Sequence, residues 1–338
     1  MNGSNETVSV VLTVLNDRPG CAAVLDAFAG QTRAPDEIIV VDGGSTDGTR
    51  ELIERHTAED RRLRCVVAAD SNIAQGRNIG IEQARGTVIV TTDAGCRAEP
   101  EWLERLVRPL EEDPGVDVVA GFYRMDPHSM LETAVGLATM RGQLEPVDPE
   151  RFNPSARSMA FRKSVWRRAG GFPDWLYTSE DTLFDMKLRK MGVRWAFAGD
   201  AVVRWRPRSS MRSIGKQFYL YGRGRGHTQI EAADYLYHLR NLALLGAMLL
   251  AGLWHPAAWG LFAVTALYFL WWGLHGKAAR VAARLKVRGG YWLALAVYWV
   301  VLFAGTAGYV VGSVQRRRRT GVYRDRMNEY LSTRGVQA

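Results

Sequence analysis

The chain has 338 residues, 47% of them apolar and 23% charged, with a net charge of +9 and an isoelectric point near 9.6. That length and apolar share exclude a disordered or fibrous protein and suffice for one large α/β domain or two smaller ones. The basic balance admits nucleic acid, a membrane surface or anionic small molecules, so where the charge lies matters more than its sum.

In chain order, Met1 to Asn5 is polar and Val8 to Leu15 is a short apolar run. It reads as a strand rather than a signal peptide, so the N-terminal part is expected to start in the cytoplasm. Cys21, Cys65 and Cys96 are scattered without C-x-x-C or metal spacing, the usage of a reducing compartment. Strands are predicted at Val8 to Leu15, Glu37 to Val41, Leu63 to Val67, Thr87 to Thr92 and Val116 to Ala120. Helices are predicted at Cys21 to Gln31, Asp47 to His56, Ala74 to Ala84 and Glu101 to Glu111, the last with Trp102, Leu103, Leu106, Val107 and Leu110 on one face. Strands alternating with helices imply parallel βαβ units and a doubly wound, mostly parallel α/β sheet. Ligands on such sheets bind outside the carboxyl ends of the strands. That rule selects Asn16 and Asp17, Asp42, and Asp93.

From Met125 to Pro154 four prolines break the pattern, and helices and loops forming a substrate wall are expected. Arg194 to Arg204 predicts another strand, and Arg206 to Arg225 is basic and aromatic. Beyond it, Leu242 to Trp254, Ala257 to Leu274 and Tyr291 to Val314 contain no Asp, Glu, Lys or Arg. A span needs about 20 such residues, so the third run qualifies clearly, the second barely, and the first is short. Trp254, Trp271, Trp272, Tyr291 and Tyr309 suit an interfacial belt. Between the later runs, Lys277, Arg280, Arg284 and Arg288 share one helical face flanked by Val281 and Leu285, which suits anionic lipid. The number and orientation of spans stay open, because three would put Arg316 to Arg319 outside, against the positive-inside bias.

In Asp42-Gly43-Gly44-Ser45-Thr46-Asp47-Gly48-Thr49, an aspartate ends a strand and a glycine turn opens a capped helix. Such a turn offers a carboxylate to a nucleobase NH or a ribose hydroxyl beside a helix N-terminus. Here the chain resembles glycosyltransferase family 2, the inverting GT-A enzymes, from about Val8 to Gly226. Val10 to Asp17 resembles that family's first strand and polar loop, and Asp42 to Thr49 its D-x-x-S-x-D-x-T signature. Ala74-Gln75-Gly76-Arg77-Asn78-Ile79-Gly80 is similar to its A-R-N-x-G segment. Asp93-Ala94-Gly95 sits where a D-x-D motif belongs, and Ser179-Glu180-Asp181 resembles the acidic motif before the acceptor helix.

The resemblance implies a GT-A, Rossmann-like catalytic domain over residues 1–230, with a nucleotide half to about 124 and an acceptor half from 125. Membrane-associated helices over 231–315, with a basic linker at 276–289, and a basic tail at 316–338 would follow it. Asp42, with Asn16, Asp17, Ser45 and Asp47 around it, would hold the nucleoside, most simply uridine. Arg77 and Asn78 would hold the donor, Asp93 the ribose and a metal-bridged diphosphate, Asp181 would be the general base, and Glu180 would orient the loop or the acceptor. A Mg²⁺ or Mn²⁺ ion is implied, with Asp93 as its ligand. Gly95 replaces the second acid, and no histidine stands in Val203 to Arg208, so arginines could take over part of its work. Gln217 to Gly226 is loosely similar to the Q-x-x-R-W element of membrane-bound polysaccharide synthases, which gives Arg208, Gln217 and Arg223 a donor-diphosphate or acceptor role.

The expected activity is sugar transfer from a nucleotide-diphosphate sugar to a hydroxyl of a lipid-linked or surface-glycan acceptor. Its place would be the cytoplasmic face of the inner membrane, among membrane lipid. A polyprenyl-phosphate sugar transferase is the nearest alternative, and a catalytically silent nucleotide-sugar sensor the alternative of another class. No nucleic-acid-binding motif accompanies the basic residues, so nucleic acid is not an expected partner.

Overall fold

The computed structural model describes residues 6–140, 142–150, 152 and 154–332. The expected basic tail at 316–338 therefore lies partly outside the described residues. The chain divides into two compact units, one made of 1–126, 147–206 and 326–338, the other of 127–146 and 207–325.

The first unit is an α/β sandwich. In chain order it contains β1 (Val8–Val14), α1 (Arg18–Ala29), β2 (Glu37–Asp42), α2 (Thr49–Glu59), β3 (Leu63–Val67), α3 (Ile73–Gln83) and β4 (Val88–Asp93). After these come β5 (Cys96–Ala98), α4 (Trp102–Glu112) and β6 (Val118–Met125). Strands β1, β2 and β4 read as unbroken β-branched runs because helices cover both faces of a parallel sheet. Two apolar clusters fill those faces, one around Val10, Leu12, Phe28, Trp102 and Leu106, the other around Val11, Ile39, Phe161, Phe172 and Phe184.

The eight-stranded sheet has the order β3-β2-β1-β4-β7-β6-β8-β5, with β7 at Met159–Arg162 and β8 at Trp195–Trp205. Strands β1 to β4 pair in parallel, as their alternation with helices implies. Beyond β4 the sheet is mixed: β7 runs antiparallel to both β4 and β6, and β5 antiparallel to β8. The fold is thus the expected Rossmann-like GT-A sheet, curled by a mixed second half.

In the second unit, α5 (Met130–Thr139) falls within the stretch expected to hold helices and loops. Of the remaining elements of the first unit, α6 spans Lys163–Ala169 and α7 Glu180–Lys190. The second unit continues with α8 (Met211–Thr228), α9 (Ala232–Ala251), α10 (Ala257–Ala266), α11 (Gly273–Leu285) and α12 (Gly290–Arg318). A turn of wider π winding, Leu267–Trp272, joins α10 to α11, so residues 257–285 form one helical run. Among the described residues, that run and α12 are the two helices long and apolar enough to cross a membrane, by length and composition. The first apolar run, Leu242 to Trp254, begins inside α9 and ends beyond its last residue, Ala251, and the same helix carries Asp234 and Arg240 before the run. Along α11, Leu274, Ala278, Val281 and Leu285 are buried against α12 and α5, while Lys277, Arg280 and Arg284 stay exposed. The flanking apolar residues thus meet protein, and Arg280 pairs with Glu145 at 3.1 Å. A last helix, α13 (Arg326–Ser332), belongs to the first unit, where the Tyr330 hydroxyl donates to the Gly171 carbonyl at 2.7 Å.

The glycine-rich stretch of α8 serves helix packing. A Cβ at Gly222 would lie 2.0 Å from the Gly305 carbonyl oxygen, and one at Gly308 would lie 2.0 Å from that of Tyr219. Such backbone-to-backbone approach needs small residues spaced one turn apart, as in close helix pairs. Gly308→Ala should therefore lower the thermal midpoint of the purified protein, at a cost of about 1–3 kcal/mol. Gly246→Ala in α9, where no atom lies within 4 Å of the added carbon, should leave it unchanged or raise it; equal effects would rule out this packing.

Candidate active site

The carboxyl ends of β1 and β2 are stitched together by side chains. Asp42, fully buried, accepts the Ser45 amide with both carboxylate oxygens at 3.1 Å. Ser45 Oγ accepts the Asn16 amide at 2.8 Å, and Asn16 Oδ1 accepts the Thr46 amide at 2.8 Å. Asn16 holds φ at 51°, a left-handed geometry that asparagine tolerates. Asp47 accepts the Thr49 hydroxyl at 2.5 Å and the Thr49 and Arg18 amides at 3.1 and 3.2 Å. These bonds, the Thr49 hydroxyl first, hold its carboxyl below the usual range. The residue that caps α2 is Gly48, so the side-chain acceptor at this helix start is Asp47. Asp17 Oδ1 accepts the Gly20 amide at 3.1 Å and caps α1.

Helix α3 starts one residue before its apolar pattern, on the reciprocal cap of Asn72 and Gln75. A Cβ at Gly80 would meet Val11 Cγ1 at 2.6 Å, so this helix lies directly on β1 and β2. Arg77, 2% exposed, thereby reaches two carboxylates at once. Its Nη2 donates to Asp93 Oδ1 at 2.8 Å and its Nη1 to Glu180 Oε1 at 2.8 Å. Asn78 faces the protein instead: Nδ2 donates to the Phe172 carbonyl at 2.8 Å, and Oδ1 accepts the Phe172 amide at 2.8 Å and Trp166 Nε1 at 3.2 Å. Its amide fixes the loop that leads into α7.

Glu180 and Asp181 open α7, after Ser179 at a φ of 69°. Glu180 is 6% exposed, and burial first, then the neighbouring Asp181, pushes its carboxyl up to about 7 against the pull of Arg77. Asp181 is partly exposed, with Oδ1 accepting the Thr182 amide at 2.7 Å. One turn on, burial holds the Asp185 carboxyl well above its usual range, and its Oδ2 has no hydrogen-bond partner. The first turn of α7 thus pairs a partly exposed carboxylate with a buried one that titrates near neutrality, a pair suited to proton transfer.

Asp93 has a second cationic neighbour that the sequence reading missed. Arg157 Nε stands 3.6 Å from Asp93 Oδ2, its Nη1 donates to Ser155 Oγ at 3.1 Å, and its guanidinium covers the Trp205 ring at 4.1 Å. Each Asp93 oxygen therefore faces an arginine. At Gly95, an added Cβ would meet only Asp17 Oδ2, at 3.8 Å, so no steric demand keeps an acid away. Among the described residues no three His, Cys, Asp or Glu side chains gather as a metal cage. A hard divalent cation wants several oxygen ligands, and one carboxylate already faced by two guanidinium groups does not fit that demand.

Asn16, Asp17, Asp42, Ser45, Asp47, Arg77, Asn78, Asp93, Glu180 and Asp181 all lie in the first unit, Arg77 and Asn78 within α3 and the others at strand ends and helix starts. Arg208, Gln217 and Arg223 belong to the second. Arg208 is exposed, Gln217 Nε2 donates to Tyr221 OH at 2.9 Å, and the Arg223 backbone lies in the α8–α12 contact.

Residues 9–167 match the model of glycosyl transferase family 2. The chain is 27% identical over 251 residues to Glycosyltransferase AglE of Haloferax volcanii, covering 72% of this chain and 80% of that protein. It is 37% identical over 145 residues to the undecaprenyl-phosphate 4-deoxy-4-formamido-L-arabinose transferase of Pseudomonas fluorescens, covering 39% of this chain and 42% of that one. Among solved structures, the mannosyltransferase PcManGT of Pyrobaculum calidifontis, in complex with GDP-Man and Mn²⁺, superposes with a TM-score of 0.55 at 20% identity, over 91% of this chain and 87% of that one. That likeness concerns the fold.

Arg77→Met should cost about 3–5 kcal/mol, because it leaves Glu180 buried without its partner. The sign with pH follows from the raised Glu180 carboxyl. The folded state holds this proton more tightly than the unfolded chain, so its contribution is full at low pH and is lost as pH rises through about 7. Urea unfolding should thus show a larger deficit for Arg77→Met at about pH 8 than at about pH 5.5; a deficit that shrinks with rising pH would contradict the pairing.

Proposed function

We propose that this chain, which belongs to glycosyltransferase family 2, transfers a sugar from a nucleoside-diphosphate donor to a hydroxyl of a lipid-linked or surface-glycan acceptor. The cytoplasmic face of the inner membrane is its place in this reading. The observation that carries the proposal is Arg77, which ties Asp93 at the end of β4 to Glu180, the neighbour of Asp181 at the start of α7. One guanidinium thus couples the strand ends, where ligands of such sheets bind, to a proton-accepting carboxylate.

In this reading the nucleoside lies against the loops ordered by Asn16, Asp42, Ser45 and Asp47, with Asp42 toward a uracil-type base and Asp93 toward the ribose. Asn78 acts by holding the loop before α7. Asp181 takes the proton of the acceptor hydroxyl as that oxygen attacks the anomeric carbon from the face opposite the leaving group. The new carbon–oxygen bond forms while the bond to the diphosphate breaks, and the electron pair leaves on the diphosphate oxygen. Glu180 raises the proton affinity of the pair and stays positioned by Arg77. The two long apolar helices support a membrane location, and a membrane enzyme gains most from an acceptor that resides there.

A second reading, transfer to the phosphate of a polyprenyl carrier, is favoured by the match to the undecaprenyl-phosphate transferase. The two separate in a screen of UDP-, GDP- and dTDP-sugars that measures diphosphate release with lipid extract or purified polyprenyl phosphate as acceptor. Release with one donor is expected, and Asp181→Asn should lower kcat by about 10²–10⁴-fold while nucleotide still binds. Nucleotide binding without turnover of any donor would instead make the chain a sensor.

The acidic pair also sets a pH signature. In wild type, kcat/KM should rise with pH through an apparent value near 7. Glu180→Gln removes the carboxyl raised to about 7, so the limb should be lost from that range; an unmoved limb would exclude the pair as its source.

A further inference from the structure

The leaving diphosphate of the proposed reaction must be met by positive charge as its bond to the sugar breaks. The donors at Asp93 do not suit a divalent cation, and the guanidinium of Arg157, from the segment before β7, stands beside it instead. We infer that Arg157 contacts the diphosphate of the donor and supplies that charge, so that nucleotide binding needs no divalent metal. The inference rests on the glycosyltransferase reading above.

Three features hold Arg157 in place. Its flat face lies on Trp205 at 4.1 Å, and Tyr123 stands at 5.8 Å. Its Nη1 edge meets Ser155 Oγ at 3.1 Å, and its Nε edge faces Asp93 Oδ2. Trp205 pairs across the sheet with Cys96 of β5, three residues after Asp93, so the short turn from β4 to β5 brings the carboxylate near the platform. A stacked guanidinium, with its rotamers already restricted, can hold phosphate oxygens at low entropic cost, and its geometry suits two oxygens at once. The side chain retains 19% exposure, enough for contact from the open end of the sheet.

Gly95 agrees with this division of labour. Its backbone is not in the left-handed region and its Cβ direction is open but for Asp17 Oδ2 at 3.8 Å. An aspartate would fit, and its carboxylate would join that of Asp17 as a pair able to hold a cation. The glycine thus leaves the turn without that second carboxylate, which would counteract the positive charge of Arg157.

Calorimetric titration of the full-length protein with UDP, GDP and dTDP tests the inference, each run in EDTA and again in Mn²⁺. One nucleotide should bind with the same affinity in both conditions. Arg157→Gln should weaken it about 10- to 100-fold, as expected for a lost charged hydrogen bond, with an unchanged thermal midpoint showing that the variant is folded. Gly95→Asp should make binding tighter in Mn²⁺ than in EDTA, a dependence absent from wild type. Binding by wild type only in Mn²⁺, or wild-type affinity in Arg157→Gln, would overturn the inference and leave the transferase reading standing. No binding of any of the three nucleotides would overturn both.

Discussion

Arg77 is the constraint on which the first unit's chemistry depends. It is a buried cation, and a buried charge is tolerated only when its donors are met by anions. Asp93 and Glu180 come from parts of the chain 87 residues apart in sequence, since 180 − 93 = 87. Helix α3 must lie close on the sheet for the guanidinium to reach both. The loop before α7 must be held, which Asn78 does through the Phe172 backbone. The A-R-N-like segment thus acts as one device: an arginine joins the two carboxylates while the next residue fixes the approach of one of them.

Much of this was legible in the sequence, and the reasons are local. Strands β1 to β4 are short β-branched runs between helices with capped starts, so their period and punctuation agree. The acidic residues at their ends stand where a parallel sheet binds ligands. Strand β7 was not legible: Met159–Arg162 has four residues and no alternation, and it exists because β4 and β6 offer it edges. Arg157 was missed for the same reason. A lone arginine in Ser155-Ala156-Arg157-Ser158 carries no motif, and its role emerges only when Trp205 and Asp93 are brought beside it. Its stacking aromatic lies in the stretch searched for a histidine.

The second unit gives the opposite lesson. Gln217 to Gly226 was expected to serve the donor diphosphate or the acceptor, on its loose similarity to a Q-x-x-R-W element. Its Gly222 and Gly226 permit close approach of another helix, α12, whose Gly305 and Gly312 sit opposite. The spacing of one turn within each helix was the available signal, since a binding loop has no reason to repeat at helical period. The apolar runs were read by their lack of charge, and two long helices, Ala257–Leu285 and Gly290–Arg318, contain the second and third of them.

A single carboxylate that meets arginines on both sides, and an acidic pair whose buried member titrates near neutrality, together make a charge-balanced site around Arg77. The claim at the centre of this account is that Arg77 and Glu180 depend on each other. A double-mutant cycle of Arg77→Met, Glu180→Gln and the double variant, read by urea unfolding, measures that dependence directly. The account predicts a coupling energy of about 1–3 kcal/mol. Additive effects of the two substitutions would contradict it.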